Sequence, residues 1–473
     1  MGGSASKTHV SKPLTSFSPS TVQVVPLSHG KLSDIAPAYP AAKFLALQAY
    51  CRVVTPWRML WTCITLPLPA LLLAILPAVL PLKHPREGVT YGYILHSVCI
   101  TSSSIVGVAL HYTAPTGLAQ AGFLRRMLAV AVLTVALMVT QFELALRYWT
   151  SPIPFGLIVF SGVGVFDMGI ALFLVLGRSL WKVPIFKRSL KIYAPSMMIQ
   201  IIQIIIYPAI SVLYDKANNT ERILLTIFFP VVKYALKRVL KRAGRHLGEY
   251  QTEVAVSGVE ICGSLYQSMI MQAVPSKAAM AIIMGLDVVQ GVLAIKFFAD
   301  RHVNPPVRRQ DIFDEAERLL TLTSVVSDSS TLSRRQSNKQ LREHNRIVTN
   351  ALQLANAAES ILLIEYYEVI IPVVNALFLL VAAQSPSAQY NSRIAPFYRN
   401  RDQLTSAMLS ITLYSALQGL SCVAMHLVMK HRYGISAIAH LSFVLERYHQ
   451  SILGKMLAWL PIILHFTLMH YGE

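Results

Sequence analysis

Residues 59–82 read MLWTCITLPLPALLLAILPAVLPL, an uninterrupted apolar run with no charged side chain. A helix rises about 1.5 Å per residue and the hydrocarbon core of a bilayer is about 30 Å thick, so about 20 apolar residues suffice to cross it. Comparable runs recur near 91–112, 127–146, 153–176, 194–213, 222–240, 253–274, 278–298, 361–383, 404–428 and 450–471. The chain therefore predicts an all-α, polytopic transmembrane helical bundle of about eleven spans. Pro67, Pro69, Pro77 and Pro81 should bend the first span, because proline removes a backbone donor and crowds the preceding turn. The weakest spans are 222–240, whose second half turns basic, and 253–274, which carries Glu260.

Composition agrees with this reading. Apolar residues make up 54% of the 473 and charged residues only 14%, against about 25% in soluble domains. The segmentation follows: 1–56 a disordered cytoplasmic arm, 57–298 a first transmembrane bundle of about eight spans, 299–347 a cytoplasmic loop, and 348–473 a second bundle of about three spans. The arm is rich in Ser, Thr and Pro and has neither the apolar core nor the cleavage site of a signal peptide.

Lys and Arg in the loops predict the orientation. With the N-terminus in the cytoplasm, 30 of the 42 fall in cytoplasmic segments, 9 on the opposite side, and Lys233, Lys296 and Lys455 within spans. The sole glycosylation sequon noted, Asn218-Asn219-Thr220, then lies outside in a short loop against the bilayer, where it is expected to go unused. Gly2 heads an M-G-x-x-x-[ST] myristoylation signal on the cytoplasmic side. One myristoyl chain anchors only marginally, so beside eleven spans it would tether the arm rather than the protein.

The net charge of +19 is concentrated on the cytoplasmic face. In VVKYALKRVLKRAGRHL (231–247), Lys233, Lys237, Lys241 and Arg245 recur every four residues, with Arg238 and Arg242 beside them. Such a stripe predicts a helix lying on the anionic lipids of the inner leaflet, although the positive-inside bias alone accounts for the charge. Within the cytoplasmic loop, DIFDEAERLLTLTSVV (311–326) has the apolar spacing of an amphipathic helix behind a capping Asp311. The polar SDSSTLSRRQSN follows it, and places Ser337 in an R-R-x-S context suited to a basophilic cytoplasmic kinase.

A carboxylate inside a span is costly unless paired or hydrated, and marks a candidate functional site. Asp167, Glu260, Asp287, Glu365 and Glu368 all fall inside expected spans, and Gln200 and Gln203 share a face of another. Two readings compete. In one they form a polar pathway for protons or cations; in the other they are protonated or hydrogen-bonded packing contacts. Around Asp167 and Asp287, small residues permit close helix packing. A short Gln-Gly likeness between 286–298 and 413–425 hints at related hairpins, as in transporters.

Motifs for phosphate-binding loops, zinc hydrolases and nucleophile elbows are missing, the five cysteines form no CxxC pair, and the basic charge is explained by lipid. The chain is therefore expected not to be an enzyme, to carry no metal or other cofactor, and to bind no nucleic acid. A transporter or channel using the intramembrane carboxylates leads. A non-transporting scaffold or receptor that recruits cytoplasmic partners is the alternative. IEYYEVIIPVVNALFLLVAAQSPSAQY, KHRYGISAIAHLSFVLERY and LAWLPIILHFTLMHYG, all within 361–473, resemble an oomycete family of multi-pass membrane proteins. That group shows a similar E-Y-x-E-x-x-x-P helix and a closing H-Y-G. The resemblance implies a multi-pass architecture and brings no established activity with it.

Overall fold

The computed structural model describes residues 39–87, 90–116, 123–148, 163–164, 166–175, 184–273, 277–299, 310–326 and 334–469. Regular structure among them is helical, apart from one isolated bridge between Asn391 and Leu468. In chain order the helices are α1 (Ala41–Val53), α2 (Pro56–Thr65), α3 (Leu68–Ala78), α4 (Tyr91–Thr116), α5 (Phe123–Tyr148), α6 (Phe166–Val175), α7 (Pro184–Lys216), α8 (Asn219–Ala243), α9 (Gln251–Ala273), α10 (Lys277–Ala299), α11 (Ile312–Val326), α12 (Arg334–Ala382), α13 (Arg401–Tyr433), α14 (Ala437–Arg447) and α15 (His449–His465).

Among the described residues, six helical segments are long and apolar enough to cross a membrane: Pro56–Ala78, Tyr91–Ala114, Lys191–Tyr214, Gly248–Gln272, Arg342–Ala382 and Arg401–Tyr433. Their outer faces carry large exposed side chains such as Leu72, Ile202, Ile205, Leu409 and Leu420, a costly surface in water and a fitting one in hydrocarbon. The other five expected spans fall on α5, α6, α8, α10 and α15, outside those six. Described α6 has only ten residues and α15 seventeen, short of a full crossing, and the second half of α8 is basic.

Three local features depart from or sharpen the sequence reading. The first span is two helices that meet at Leu66 and Pro67, where proline interrupts the backbone ladder. The end of the polar stretch SDSSTLSRRQSN (327–338), which reads as a flexible linker, is helical from Arg334, so α12 runs for 49 residues. Extending an existing helix through Lys339, Gln340, Leu341, Arg342 and Glu343 needs no new nucleus, and all five are good helix formers. Asn218 caps α8 in a reciprocal capping box with Glu221, so the sequon asparagine is engaged by its own helix.

The two expected bundles share one core. α15 packs on α4, α3 and α9, while α9 touches α12, α15, α8, α13 and α7. Almost every residue of α9 is buried, which makes it the central element. At one end α1, α11 and α14 form a cap. Residues 41–53 of the arm expected to be disordered over 1–56 are thus instead helical and packed, because Phe44 and Leu47 are buried against the core. The ring of Phe44 meets that of Phe313 edge-on at 5.1 Å, and Arg52 pairs with Glu317.

Candidate functional site

On α9, Glu253, Ser257, Glu260, Ser264 and Ser268 follow one another at steps of four and three, so they form a stripe along one face. All five are buried. A helix enclosed on every side has no water to give this stripe, so its polar groups must be met by neighbouring helices or remain unsatisfied.

At one end of the stripe, the Lys455 ammonium donates to Glu253 Oε1, with neither side chain exposed. Ser451 Oγ donates to Glu253 Oε2 at 2.9 Å and accepts from Lys455 at 3.2 Å. With its single proton spent, the Ser451 hydroxyl can only accept from His111 Nδ1, 3.1 Å away. His111 is therefore protonated on Nδ1, and its Nε2 accepts from the Tyr193 hydroxyl and from Gln200 Nε2 at 3.3 Å. The result is a continuous hydrogen-bonded chain from α7 through α4 and α15 to α9. Midway along the stripe Ser257 accepts from the Tyr367 hydroxyl at 2.7 Å.

One turn further, Glu260 holds two cations from α8. Lys237 Nζ lies 2.6 Å from Oε1 and Lys233 Nζ 2.6 Å from Oε2. Lys233 also reaches Glu368 Oε1 at 3.1 Å. Its stem lies against Gly263, where a Cβ would meet Lys233 Cε at 3.0 Å, so glycine makes room for it. Glu365 accepts from Ser421 Oγ at 3.3 Å, and its second oxygen is buried without a hydrogen-bond partner among the described residues. Two lysines thus balance Glu260 and Glu368, and Lys455 balances Glu253.

The sequence-predicted residues are accordingly divided. Glu260, Glu365 and Glu368 lie in one cluster. Gln200 belongs to the Glu253 chain, whereas Gln203, fully buried, has no hydrogen-bond partner for its amide among the described residues. Asp167 stands apart, accepting from Gln141 Nε2 of α5 at 2.8 Å. Asp287 lies on α10, but its side chain falls outside the described residues, as does that of Ser337 on α12, and Gly2 lies outside them altogether.

The basic stripe needs a correction. Lys233 and Lys237 turn inward to Glu260 instead of facing headgroups, whereas Arg238, Lys241, Arg242 and Arg245 are exposed. Residues four apart advance by about 40° around a helix, so the row winds from the α9 contact to the surface.

Glu253, Lys455, Ser451, His111 and Tyr193 were missed from the sequence. Glu253 stood at the edge of an expected span, where a carboxylate is ordinary. The one available signal was Lys455, a lone cation inside the last apolar run. A further buried pair, Lys43 with Glu359, joins α1 to α12. The Lys43 ammonium lies over the rings of Tyr39 and Tyr448, at 4.3 and 4.8 Å. Burial pushes the Lys43 pKa down, and the Glu359 carboxylate opposes that shift.

Chemically the arrangement offers paired acids and bases and a hydrogen-bonded relay. Among the described residues no three His, Cys, Asp or Glu side chains gather as a metal site would require. Comparison of the chain with protein-family models, with curated proteins and with solved structures finds no match.

Proposed function

We propose that this chain is a multi-pass integral membrane protein that transports or conducts a proton or cation, with the polar stripe of α9 as its path. The six helices among the described residues that are long and apolar enough to cross a bilayer are compatible with a membrane protein. One observation supports the transport reading: an enclosed helix carries two ionisable carboxylates, Glu253 and Glu260, one stripe and two turns apart, each held by lysine from another helix. Buried charge of this kind is costly in a membrane and is characteristic of ion and proton pathways. The eleven-span, cytoplasmic-N-terminus arrangement belongs to this proposal and draws its support from the uneven distribution of Lys and Arg. So does the likeness of 361–473 to the oomycete family, which bears on architecture.

The scaffold reading has an observation of its own, since every cation in the stripe is matched by a carboxylate, as in a structural staple. Reconstitution into liposomes holding a pH-sensitive dye, under a potassium diffusion potential, separates the two. Transport predicts proton or cation flux above that of empty liposomes, with a large loss in Glu260→Gln. Absence of flux from correctly folded protein leaves the scaffold.

A further inference from the structure

We propose that the cleft bounded by α4, α5, α6, α7 and α15 binds an uncharged single-chain lipid, with a hydroxyl-bearing head at Gln200. The cleft has a volume of about 210 Å³, and its walls include Ile105, Val108, Val135, Met138, Ile201 and Trp459. The cleft is open on one side and its lining is predominantly apolar, so water finds few hydrogen-bond partners and is a poor occupant here. Along α4 the lining residues Ser97, Thr101, Ser104, Val108 and His111 fall on one face at steps of four and three. At 1.5 Å per residue they cover about 21 Å, which makes the cleft long, narrow and matched to an extended hydrocarbon chain.

The head is specified by the polar end of the cleft, formed by His111, Gln200 and Lys455. The charge of Lys455 is cancelled by Glu253, so this end of the cleft offers no net charge to a ligand; the other charged residue in the lining, Glu143, comes from α5. Gln200 commits its amide nitrogen to His111, and the position of His111 is fixed by Ser451 and Tyr193. The Gln200 carbonyl oxygen has no partner among the described residues and is held ready to accept from a hydroxyl. α4 and α7 each contain a segment long and apolar enough to cross a membrane, which makes the bilayer the source of the occupant. This inference does not depend on whether the chain transports anything.

The test uses the full chain in liposomes and a clickable, photoreactive palmityl alcohol. Labelling is expected to saturate and to map to α4, α7 or α15. Unlabelled palmityl alcohol should displace the probe at about tenfold lower concentration than palmityl sulfate or a palmityl ammonium. Val108→Trp, which fills the cleft, should reduce labelling about tenfold, and Gln200→Leu should abolish the preference for alcohol over the charged competitors. Labelling that fails to saturate, or that maps only to other helices, overturns the proposal. So does equal labelling of folded Val108→Trp. Should that variant not fold, saturation and competition on the unaltered chain decide the matter.

Discussion

Gly107 of α4 faces Gly454 of α15 so closely that a Cβ on Gly107 would lie 2.4 Å from the Gly454 carbonyl oxygen. The relation is reciprocal, since a Cβ on Gly454 would lie 2.5 Å from the Gly107 carbonyl oxygen and 2.6 Å from His111 N. The two backbones therefore touch, as small residues permit between membrane helices. That contact sets the spacing across which His111 reaches Ser451 and, through it, Glu253.

Gly107→Ala should therefore separate α4 from α15 and weaken the relay together with the packing. Overpacking costs about 1–3 kcal/mol, so the melting temperature of detergent-purified protein should fall. Gly169, with open space where a Cβ would go, serves as the control, and Gly169→Ala should melt like the unaltered chain. Equal melting of Gly107→Ala and the control would contradict the close approach.

The Lys455–Glu253 pair leads to a second prediction. Removing one partner leaves an uncompensated buried charge, at a cost of about 3–5 kcal/mol, whereas removing both charges is far milder. Lys455→Met alone should be strongly destabilised, and adding Glu253→Gln should recover most of the loss. A double-mutant cycle on thermal or denaturant unfolding measures this coupling. Additive losses would mean that the two side chains do not depend on each other.

Sequence legibility follows from what each signal depends on. Helices were visible because an apolar run of about 20 residues is a local property, and Glu260, Glu365 and Glu368 stood out because charge is rare in such runs. Their convergence was not visible, because partners such as Lys233 and Ser421 come from other helices and sequence spacing says nothing about which faces meet. Lys233 and Lys237 shared a four-residue period with Lys241 and Arg245, and periodicity alone could not reveal that the row leaves the core partway along α8. The helix over 334–338 was hidden for a related reason: polar composition resembled a linker, while continuity with the rest of α12 decided the conformation.

The divided stripe leads to a third prediction. Replacing Arg238, Lys241, Arg242 and Arg245 with Gln should weaken binding of the purified chain in detergent micelles to anionic vesicles while leaving its melting temperature nearly unchanged. Each cation near a charged surface contributes about 1 kcal/mol at low salt. Lys233→Gln with Lys237→Gln should do the reverse, lowering stability by stranding Glu260 without reducing vesicle binding. Vesicle co-sedimentation and thermal unfolding report the two effects separately, and loss of binding in the inner pair would return all six residues to the headgroups.

Asp167 leads to the last prediction, because its surroundings differ from those of the α9 stripe. It is fully buried, accepts one hydrogen bond from Gln141, and its second oxygen has no hydrogen-bond partner among the described residues. No Lys or Arg among the described residues forms an ion pair with it. A carboxyl held by a single hydrogen bond between α5 and α6 has the geometry of a packing contact, for which an amide of nearly the same shape can substitute. Asp167→Asn should retain the melting temperature and any flux measured for the unaltered chain. Asp167→Leu strands the Gln141 amide, leaving a buried donor unsatisfied at about 1–3 kcal/mol, and should lower the melting temperature. If Asp167→Asn instead abolished flux without altering stability, the conducting path would run through α5 and α6 and the α9 stripe would be its structural support.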